Sequence, residues 1–266
     1  MFRTRLISGI ILVILAVLFN ILGGDILLAV TGLISLIGMY ELYRVLNIHK
    51  DLLAIIGYLA CVVFFVNLRF GFIPDILMFV FGYMIILMFI YVFAYPKYDA
   101  AKLMTVFFGV FYVAGMLSYI YKIRMLEGGL YLTFLIFICS WGCDTFAYCF
   151  GKLFGKHKMS PRLSPKKSVE GAIGGIVGAI AVGAIYGAIV GNYIGSIANP
   201  VLIFAVMSGV AGLASMVGDL SASAIKRNYD IKDYGKLIPG HGGILDRFDS
   251  VIFIAPLIYY IIIFIK

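Results

Sequence analysis

The stretch "PGHGGILDRFDS" spans residues 239–250, and an almost unbroken apolar run follows it to the C-terminus. That run is the last of nine stretches that approach the roughly 20 residues needed to cross a hydrocarbon core about 30 Å thick. They lie near residues 5–22, 25–44, 51–68, 72–95, 100–121, 129–151, 171–191, 199–225 and 249–265. The chain is 63% hydrophobic and only 13% charged, a composition typical of integral membrane proteins. We predict an all-α integral membrane protein with about nine transmembrane helices.

The distribution of Lys and Arg predicts the orientation of these helices. With a cytoplasmic N-terminus, 17 of the 21 basic residues fall on the cytoplasmic side, and only Arg69, Lys122, Arg124 and Lys266 fall on the other. Cytoplasmic loops are enriched in Lys and Arg in just this way. The orientation puts two long polar loops, residues 152–170 and 226–248, on one face. Topology and anionic lipid explain the net charge of +8, and no nucleic acid partner is expected.

The two halves of the chain differ in polarity. Before residue 129 the spans carry few polar groups and the loops are short, whereas both long loops follow it. We predict an N-terminal transmembrane scaffold of about five helices over residues 1–128, and a functional half of about four helices over residues 129–266. In the seventh span, small residues at four-residue spacing allow close helix packing. They are Gly171 and Gly175, then Gly183, Gly187 and Gly191.

Four carboxylates lie near the cytoplasmic ends of three predicted helices. Asp144 in the sixth span and Asp219 in the eighth each lie on the order of 10 Å inside the basic boundary of their helix. Asp246 and Asp249 share one face if "GILDRFDS" opens the ninth helix. Clustered like charges in a low dielectric need a cation, and hard oxygen ligands favour Mg²⁺. We predict a Mg²⁺ site; alternatively, Asp144 and Asp219 form structural ion pairs with Lys or Arg of other helices.

The two polar loops also carry an excess of cations beside these aspartates. Lys167, in "LSPKKSVEG", lies just before the seventh helix, where free backbone N–H groups also favour phosphate. Lys and Arg next to a bound metal neutralise phosphates during their transfer. His241, in "HGG", fits three roles: a general base, a phosphate contact or a solvated loop residue. These features together indicate a site for phosphate chemistry at the cytoplasmic boundary.

At these residues the sequence resembles a known family. The segment "SAIKRNYDIKDYGKLIPGHGGILDRFD", residues 223–249, is similar to the signature of the CDP-diacylglycerol synthases, also called phosphatidate cytidylyltransferases, and fills every fixed position of it. The segment "DTFAYCFGKLFGKHKMSPRLSPKKSVEG", residues 144–171, resembles a second region of the same family. One departure is Phe146, at a position where a small residue is expected.

The resemblance implies an enzyme that converts CTP and phosphatidate into CDP-diacylglycerol and pyrophosphate. It also implies a Mg²⁺ requirement, a homodimer, and a place in the bacterial inner membrane with the active site facing the cytoplasm. The metal or its waters would be held by Asp144, Asp219, Asp246 and Asp249. The phosphate contacts would be Lys167, Lys226, Arg227 and Arg247, with Ser223 and His241 as further polar contacts and Glu170 orienting Lys167.

Two other functions fit parts of the sequence. A CTP-dependent transferase acting on an isoprenoid lipid would need the same phosphate site and differ in its lipid. An ion-coupled transporter would also carry intramembrane carboxylates. A transporter, however, needs charged groups along a path across the membrane, whereas the acidic residues within these spans cluster at one face.

Overall fold

The computed structural model describes residues 2–195 and 197–265, which are almost entirely helical. The helices are α1 (Phe2–Leu22), α2 (Gly24–Val45), α3 (Leu52–Phe70), α4 (Ile76–Phe93), α5 (Ala100–Gly109), α6 (Met116–Arg124), α7 (Gly129–Phe154), α8 (Val169–Val190), α9 (Pro200–Asn228) and α10 (Leu245–Ile265). Within these described ranges, nine helical spans are long and apolar enough to cross a membrane. The predicted fold class, an integral membrane protein of about nine transmembrane helices, is confirmed.

The fifth span is one helix with an irregular centre. Between α5 and α6 the chain forms a π-helical segment, Val110–Gly115, and the whole span runs from Ala100 to Arg124. At Gly109 there is no room for a side chain, because a Cβ there would lie 2.5 Å from Cε1 of Tyr43. The Tyr43 hydroxyl donates a hydrogen bond of 2.8 Å to the carbonyl of Val106, which ties α2 to this span.

A short antiparallel hairpin occupies the first long loop and was not predicted. Strand β1 (Lys158–Ser160) pairs with β2 (Ser164–Ser168), so that Lys158 lies opposite Ser168. The hairpin leads directly into α8, because the Ser168 hydroxyl accepts a hydrogen bond of 3.1 Å from the backbone N–H of Gly171 and caps the helix. This arrangement fixes Lys167 at the entrance to α8.

Glycines in α8 bring α7 and α9 close together, as the small-residue spacing predicts. A Cβ at Gly171 would lie 2.7 Å from the carbonyl of Ala147 in α7, and a Cβ at Gly187 would lie 2.5 Å from the carbonyl of Pro200 in α9. The ring of Phe146 fills the space over Gly178. The residue that departs from the family pattern is therefore accommodated by a glycine on the neighbouring helix.

The charged ends of several helices meet on one side of the molecule. Lys167 before α8 pairs with Asp219 of α9, and Lys226 at the end of α9 pairs with Asp246 of α10. Ser8 of α1 contacts His241 in the second long loop. Both long loops therefore lie on the same side as the beginning of α1. That this side is cytoplasmic, and that residues 1–128 form a separate scaffold, stay predictions.

Candidate active site

A cavity of about 410 Å³ opens between α7, α8, α9 and the hairpin. Its walls carry the side chains that the sequence singled out in the sixth and eighth spans, Asp144 and Asp219, together with Lys167. Lys152 and Lys166 line it as well, so that its two carboxylates face three ammonium groups. The cavity therefore combines fixed negative charge with an excess of positive charge, as a site for bound phosphates and a cation requires.

Lys167 and Asp219 form the central ion pair of this cavity. The Lys167 ammonium donates a hydrogen bond to Asp219 Oδ2, and both side chains are about a quarter exposed. The Ser223 hydroxyl, one helical turn further along α9, lies 3.4 Å from Asp219 Oδ1. Ser223 thus supports Asp219, and Lys167 neutralises it while both remain accessible from the cavity.

Asp144 and Asp249 approach this pair from two further helices. Asp144 is repelled by Asp219 and attracted by Lys167 and Arg247, and within the described residues its carboxylate makes no hydrogen bond or ion pair. Asp249 is repelled by both Asp219 and Asp144, and its Oδ1 accepts a hydrogen bond of 2.8 Å from the backbone N–H of Ser250. Three of the four predicted metal-binding aspartates, on α7, α9 and α10, therefore act on one another.

Asp246 has a different environment from the other three aspartates. Its side chain is buried, and its Oδ1 accepts a hydrogen bond of 2.8 Å from the Lys226 ammonium. Its Oδ2 accepts hydrogen bonds from the backbone N–H groups of Tyr234, at 2.8 Å, and Gly243, at 3.0 Å. Asp246 therefore anchors the second long loop to the start of α10, and Lys226 would have to release it before it could bind a metal.

The remaining predicted residues are dispersed around the cavity. Arg227 is exposed and donates hydrogen bonds to the carbonyls of Leu163, at 3.4 Å, and Ile231, at 3.2 Å, which links the two loops. Glu170 contacts the ring of His157 at 2.6 Å and its backbone N–H rather than Lys167. Arg247 and His241 line a second cavity, beside the beginning of α1.

Glu41 is a buried carboxylate that the sequence reasoning missed. It lies on α2, is only 3% exposed, and accepts hydrogen bonds from the backbone N–H groups of Ile244, at 3.1 Å, and Leu245, at 2.8 Å. These N–H groups begin α10, so Glu41 caps the helix that carries Asp246 and Asp249. A signal was present, because Glu41 is a carboxylate within an apolar span, the same property that drew attention to Asp144.

The match to known proteins covers almost the whole chain. Residues 3–265 match the model of the cytidylyltransferase family. This chain belongs to the cytidylyltransferase family. The matched residues include those that line both cavities, the hairpin, helices α2 to α10 and all but the first residue of α1.

Individual curated relatives match this member of the cytidylyltransferase family only over short segments. The phosphatidate cytidylyltransferase of Synechocystis sp. is 52% identical over 59 residues, which are 22% of this chain and 20% of the relative. That of Bacillus subtilis is 44% identical over 63 residues, 24% of this chain and 23% of the relative. An uncharacterized protein of Escherichia coli, YnbB, is 52% identical over 59 residues, 22% of this chain and 20% of the relative. The chain thus spans about a fifth of the length of these relatives in each match.

The donor atoms in the first cavity of this cytidylyltransferase family member fit Mg²⁺. Across residues 2–195 and 197–265, no three His, Cys, Asp or Glu side chains form a complete metal site by themselves. Mg²⁺ does not need one, because it is commonly held by one or two carboxylates, several waters and the phosphates of a substrate. Among the described residues the Asp144 carboxylate makes no hydrogen bond or ion pair, and Asp219, paired with Lys167, lines the same cavity. The two carboxylates suit a cation that arrives with phosphate.

Proposed function

We propose that this protein transfers a cytidylyl group from CTP to phosphatidate, giving CDP-diacylglycerol and pyrophosphate for phospholipid synthesis. The observation that carries the proposal is the cavity in which Asp144, Asp219 and Lys167 meet at the charged end of three membrane helices. Membership of the cytidylyltransferase family and the names of the matched relatives support CTP and phosphatidate as the substrates.

The reaction is a displacement at the α-phosphorus of CTP. A phosphate oxygen of phosphatidate forms the new bond to this phosphorus, and the bond to the oxygen that bridges the α- and β-phosphates breaks. Pyrophosphate leaves with the electron pair. Because the attacking oxygen is already anionic, no strong general base is needed, and catalysis depends on holding the two phosphates in line and stabilising the charge of the leaving group.

The side chains of the cavity can supply both requirements. Lys167 exchanges Asp219 for a substrate phosphate when the substrates bind, and Arg247, which lines the second cavity and attracts Asp144, stabilises the charge that develops on the leaving group. Mg²⁺ held by Asp144 and Asp219, with Asp249 beside them, would neutralise negative charge on the phosphates. Asp246 could join this set only after Lys226 releases it.

The position of the cavity suits one substrate from the membrane and one from water. Its walls include Tyr148 and Met216 as well as the charged groups, and Tyr148 on α7 is 70% exposed. A lipid headgroup can therefore enter from the side while its acyl chains remain in the bilayer. The nucleotide enters from the side of the long loops, Lys152 and Lys166 being at that entrance.

The proposal includes a location and an oligomeric state. The protein is a homodimer of the bacterial inner membrane, and its two long loops face the cytoplasm, where CTP is available. The excess of Lys and Arg in these loops supports the orientation. The homodimer rests on the family resemblance. The mass of the purified protein in nanodiscs tests it, and a mass that corresponds to one chain would refute it.

Pyrophosphate release by the purified full-length protein tests the reaction. The assay contains CTP, phosphatidate and Mg²⁺, and compares Asp219→Asn and Asp144→Asn with the matched control Asp25→Asn. Asp25 lies at the far end of α2 in an exposed ion pair with Arg69. We expect kcat to fall at least about a hundredfold in the first two variants, as for the loss of a group that stabilises transition-state charge. Unchanged kcat in both would refute the carboxylate site.

A panel of lipid phosphates tests the acceptor. We expect turnover with phosphatidate and none with polyprenyl phosphate at the same concentration in mixed micelles. Turnover with the isoprenoid lipid alone would reject phosphatidate as the substrate and would favour the alternative, a CTP-dependent transferase that acts on an isoprenoid lipid.

A further inference from the structure

A second cavity, of about 590 Å³, lies between the beginning of α1 and the loop that joins α9 to α10. Its charged walls are Arg5, Lys232, Lys236 and Arg247, with His241 and a single carboxylate, Asp233. It shares no lining residue with the cavity that holds Asp144 and Asp219. Four permanent cations thus face one carboxylate in a separate pocket on the same side of the molecule.

The loop is shaped so that these groups converge. Gly240 and Gly242 have positive φ values of 78° and 87°, which side chains rarely allow. Arg5 packs on Gly240, where a Cβ would lie 2.8 Å from Arg5 Cγ. The Ser8 hydroxyl lies 2.7 Å from His241 Nδ1 and 3.1 Å from the carbonyl of Pro239. Helix α1 is therefore attached to this loop and contributes one wall of the cavity.

The cations of this cavity are not neutralised by ion pairs with side chains of the described residues. Within the described residues, the side chains of Arg5, Lys232, Lys236 and Arg247 form no ion pair. The charge of Arg247 affects groups of both cavities, because it repels the protonated form of His241 in the second and attracts Asp144 in the first. The positive charge of the second cavity therefore extends to the carboxylates of the first.

We propose that the second cavity is a polyphosphate site, in which Arg5, Lys232 and Lys236 hold the phosphates that leave the nucleotide as pyrophosphate. The identification of pyrophosphate as the ligand rests on the proposed function. That the ligand is a polyphosphate rests on the positive charges that line the second cavity. Lys and Arg that converge on one pocket bind several phosphate oxygens at once, and a chain of linked phosphates provides them. Arg5 gives α1 a part in substrate binding.

Binding of inorganic pyrophosphate to the full-length protein tests the site. Titration calorimetry is done in nanodiscs of phosphatidylcholine, with the variants Arg5→Gln and Lys236→Gln. We expect the Kd to rise about tenfold in each, as for the loss of a charge-assisted hydrogen bond. Arg5→Lys, which keeps the charge, should stay within about threefold of the unsubstituted protein. Lys50→Gln removes the same charge from an exposed loop outside both cavities and should leave the Kd unchanged.

The outcomes separate this site from the proposed function. If the protein turns over CTP and phosphatidate, but substitution of Arg5 and Lys236 leaves the Kd for pyrophosphate unchanged, the second site is refuted and the proposed function stands. Pyrophosphate binding that depends on both residues, in a protein without turnover, supports the site and rejects the function.

A competition experiment identifies the source of the phosphate. We expect tripolyphosphate to displace pyrophosphate, and glycerol phosphate at the same concentration to leave it bound. Displacement by glycerol phosphate would mean that a single headgroup phosphate suffices, and would overturn the assignment to a linked polyphosphate.

Discussion

Asp246 and Asp249 lie one turn apart in α10 and have different roles. Asp246 is 4% exposed and accepts hydrogen bonds from Lys226 and from two backbone N–H groups, whereas Asp249 is repelled by the carboxylates of Asp219 and Asp144. A buried carboxylate with three donors holds the surrounding structure together, because without it each donor would be left buried and unpaired. The spacing in the sequence predicts the same role for both aspartates, whereas their partners in the structure show that the roles differ.

Substitution of Asp246 is expected to destabilise the fold. Asp246→Asn leaves the Lys226 ammonium, whose side chain is 11% exposed, without its counter-charge. We expect a loss of about 3 kcal/mol in the free energy of unfolding, since removing one partner of a buried pair strands the other. Thermal unfolding of the purified protein in detergent measures it. Asp25→Asn, in an exposed pair, should cost less than about 1 kcal/mol, and equal losses in the two variants would contradict the role of Asp246.

The pKa of His241 reports the charge of the second cavity. Partial burial lowers it from its usual value, and Arg247 and Arg5 lower it further. Lys232, Lys236 and Asp233 face the same space. A lowered pKa favours neutral His241 in the folded protein. Its contribution to stability is therefore full above the pKa of the unfolded chain and is lost as the pH falls through that of the folded protein.

Removal of a neighbouring cation should raise the pKa of His241. We expect Arg5→Gln to raise it, because one charge that disfavours the imidazolium is gone. The Cε1 chemical shift in an NMR titration measures the change, and the chain has only three histidines to assign. Lys50→Gln serves as the matched control. A pKa that stays constant or falls in Arg5→Gln would show that Arg5 does not face the histidine.

Among the helices, the contact between α7 and α8 determines where Asp144 lies. Phe146 and Phe150 of α7 lie over Gly178 and Gly174 of α8, and the backbones approach closely at Gly171. Lipid offers no hydrophobic drive for helices to associate, so close van der Waals packing has to stabilise this contact. The glycines therefore set the depth at which α7 presents Asp144 to Asp219.

A methyl group at Gly178 should disturb this contact. We expect Gly178→Ala to lower the free energy of unfolding by about 1 to 3 kcal/mol, since the Phe146 ring has to move. Phe146→Ala in the same protein should recover part of the loss. Gly82→Ala in α4 is the control, because nothing lies within 4 Å of a Cβ there. Alanine favours helices over glycine, so this change should be neutral or stabilising. Thermal unfolding compares them, and equal behaviour of the two glycines would contradict the packing.

For the molecule as a whole, the fold could be predicted from the sequence because the membrane restricts which structures can form. Every backbone polar group must be paired within the bilayer, so apolar stretches of sufficient length become helices, and the nine predicted spans are confirmed. The approach of Asp144 to Asp219 followed from their similar depth in two helices. The partners of Arg5 and Glu41 could not be assigned in this way, because they lie more than two hundred residues along the chain. The hairpin was missed because strands of three and five residues are too short for a clear alternation.

The orientation of the whole molecule gives the last prediction. If the excess of Lys and Arg marks the cytoplasmic side, the hairpin faces the cytoplasm and the turn after α8 faces outward. The test starts from Cys149→Ser, because Cys149 is exposed while Cys61, Cys139 and Cys143 are buried. In intact cells an impermeant maleimide should label Asn192→Cys at once, and Lys156→Cys only after permeabilisation. Labelling in the opposite order would put both cavities on the side of the membrane that cytoplasmic CTP does not reach, and would reject the proposed reaction at this site.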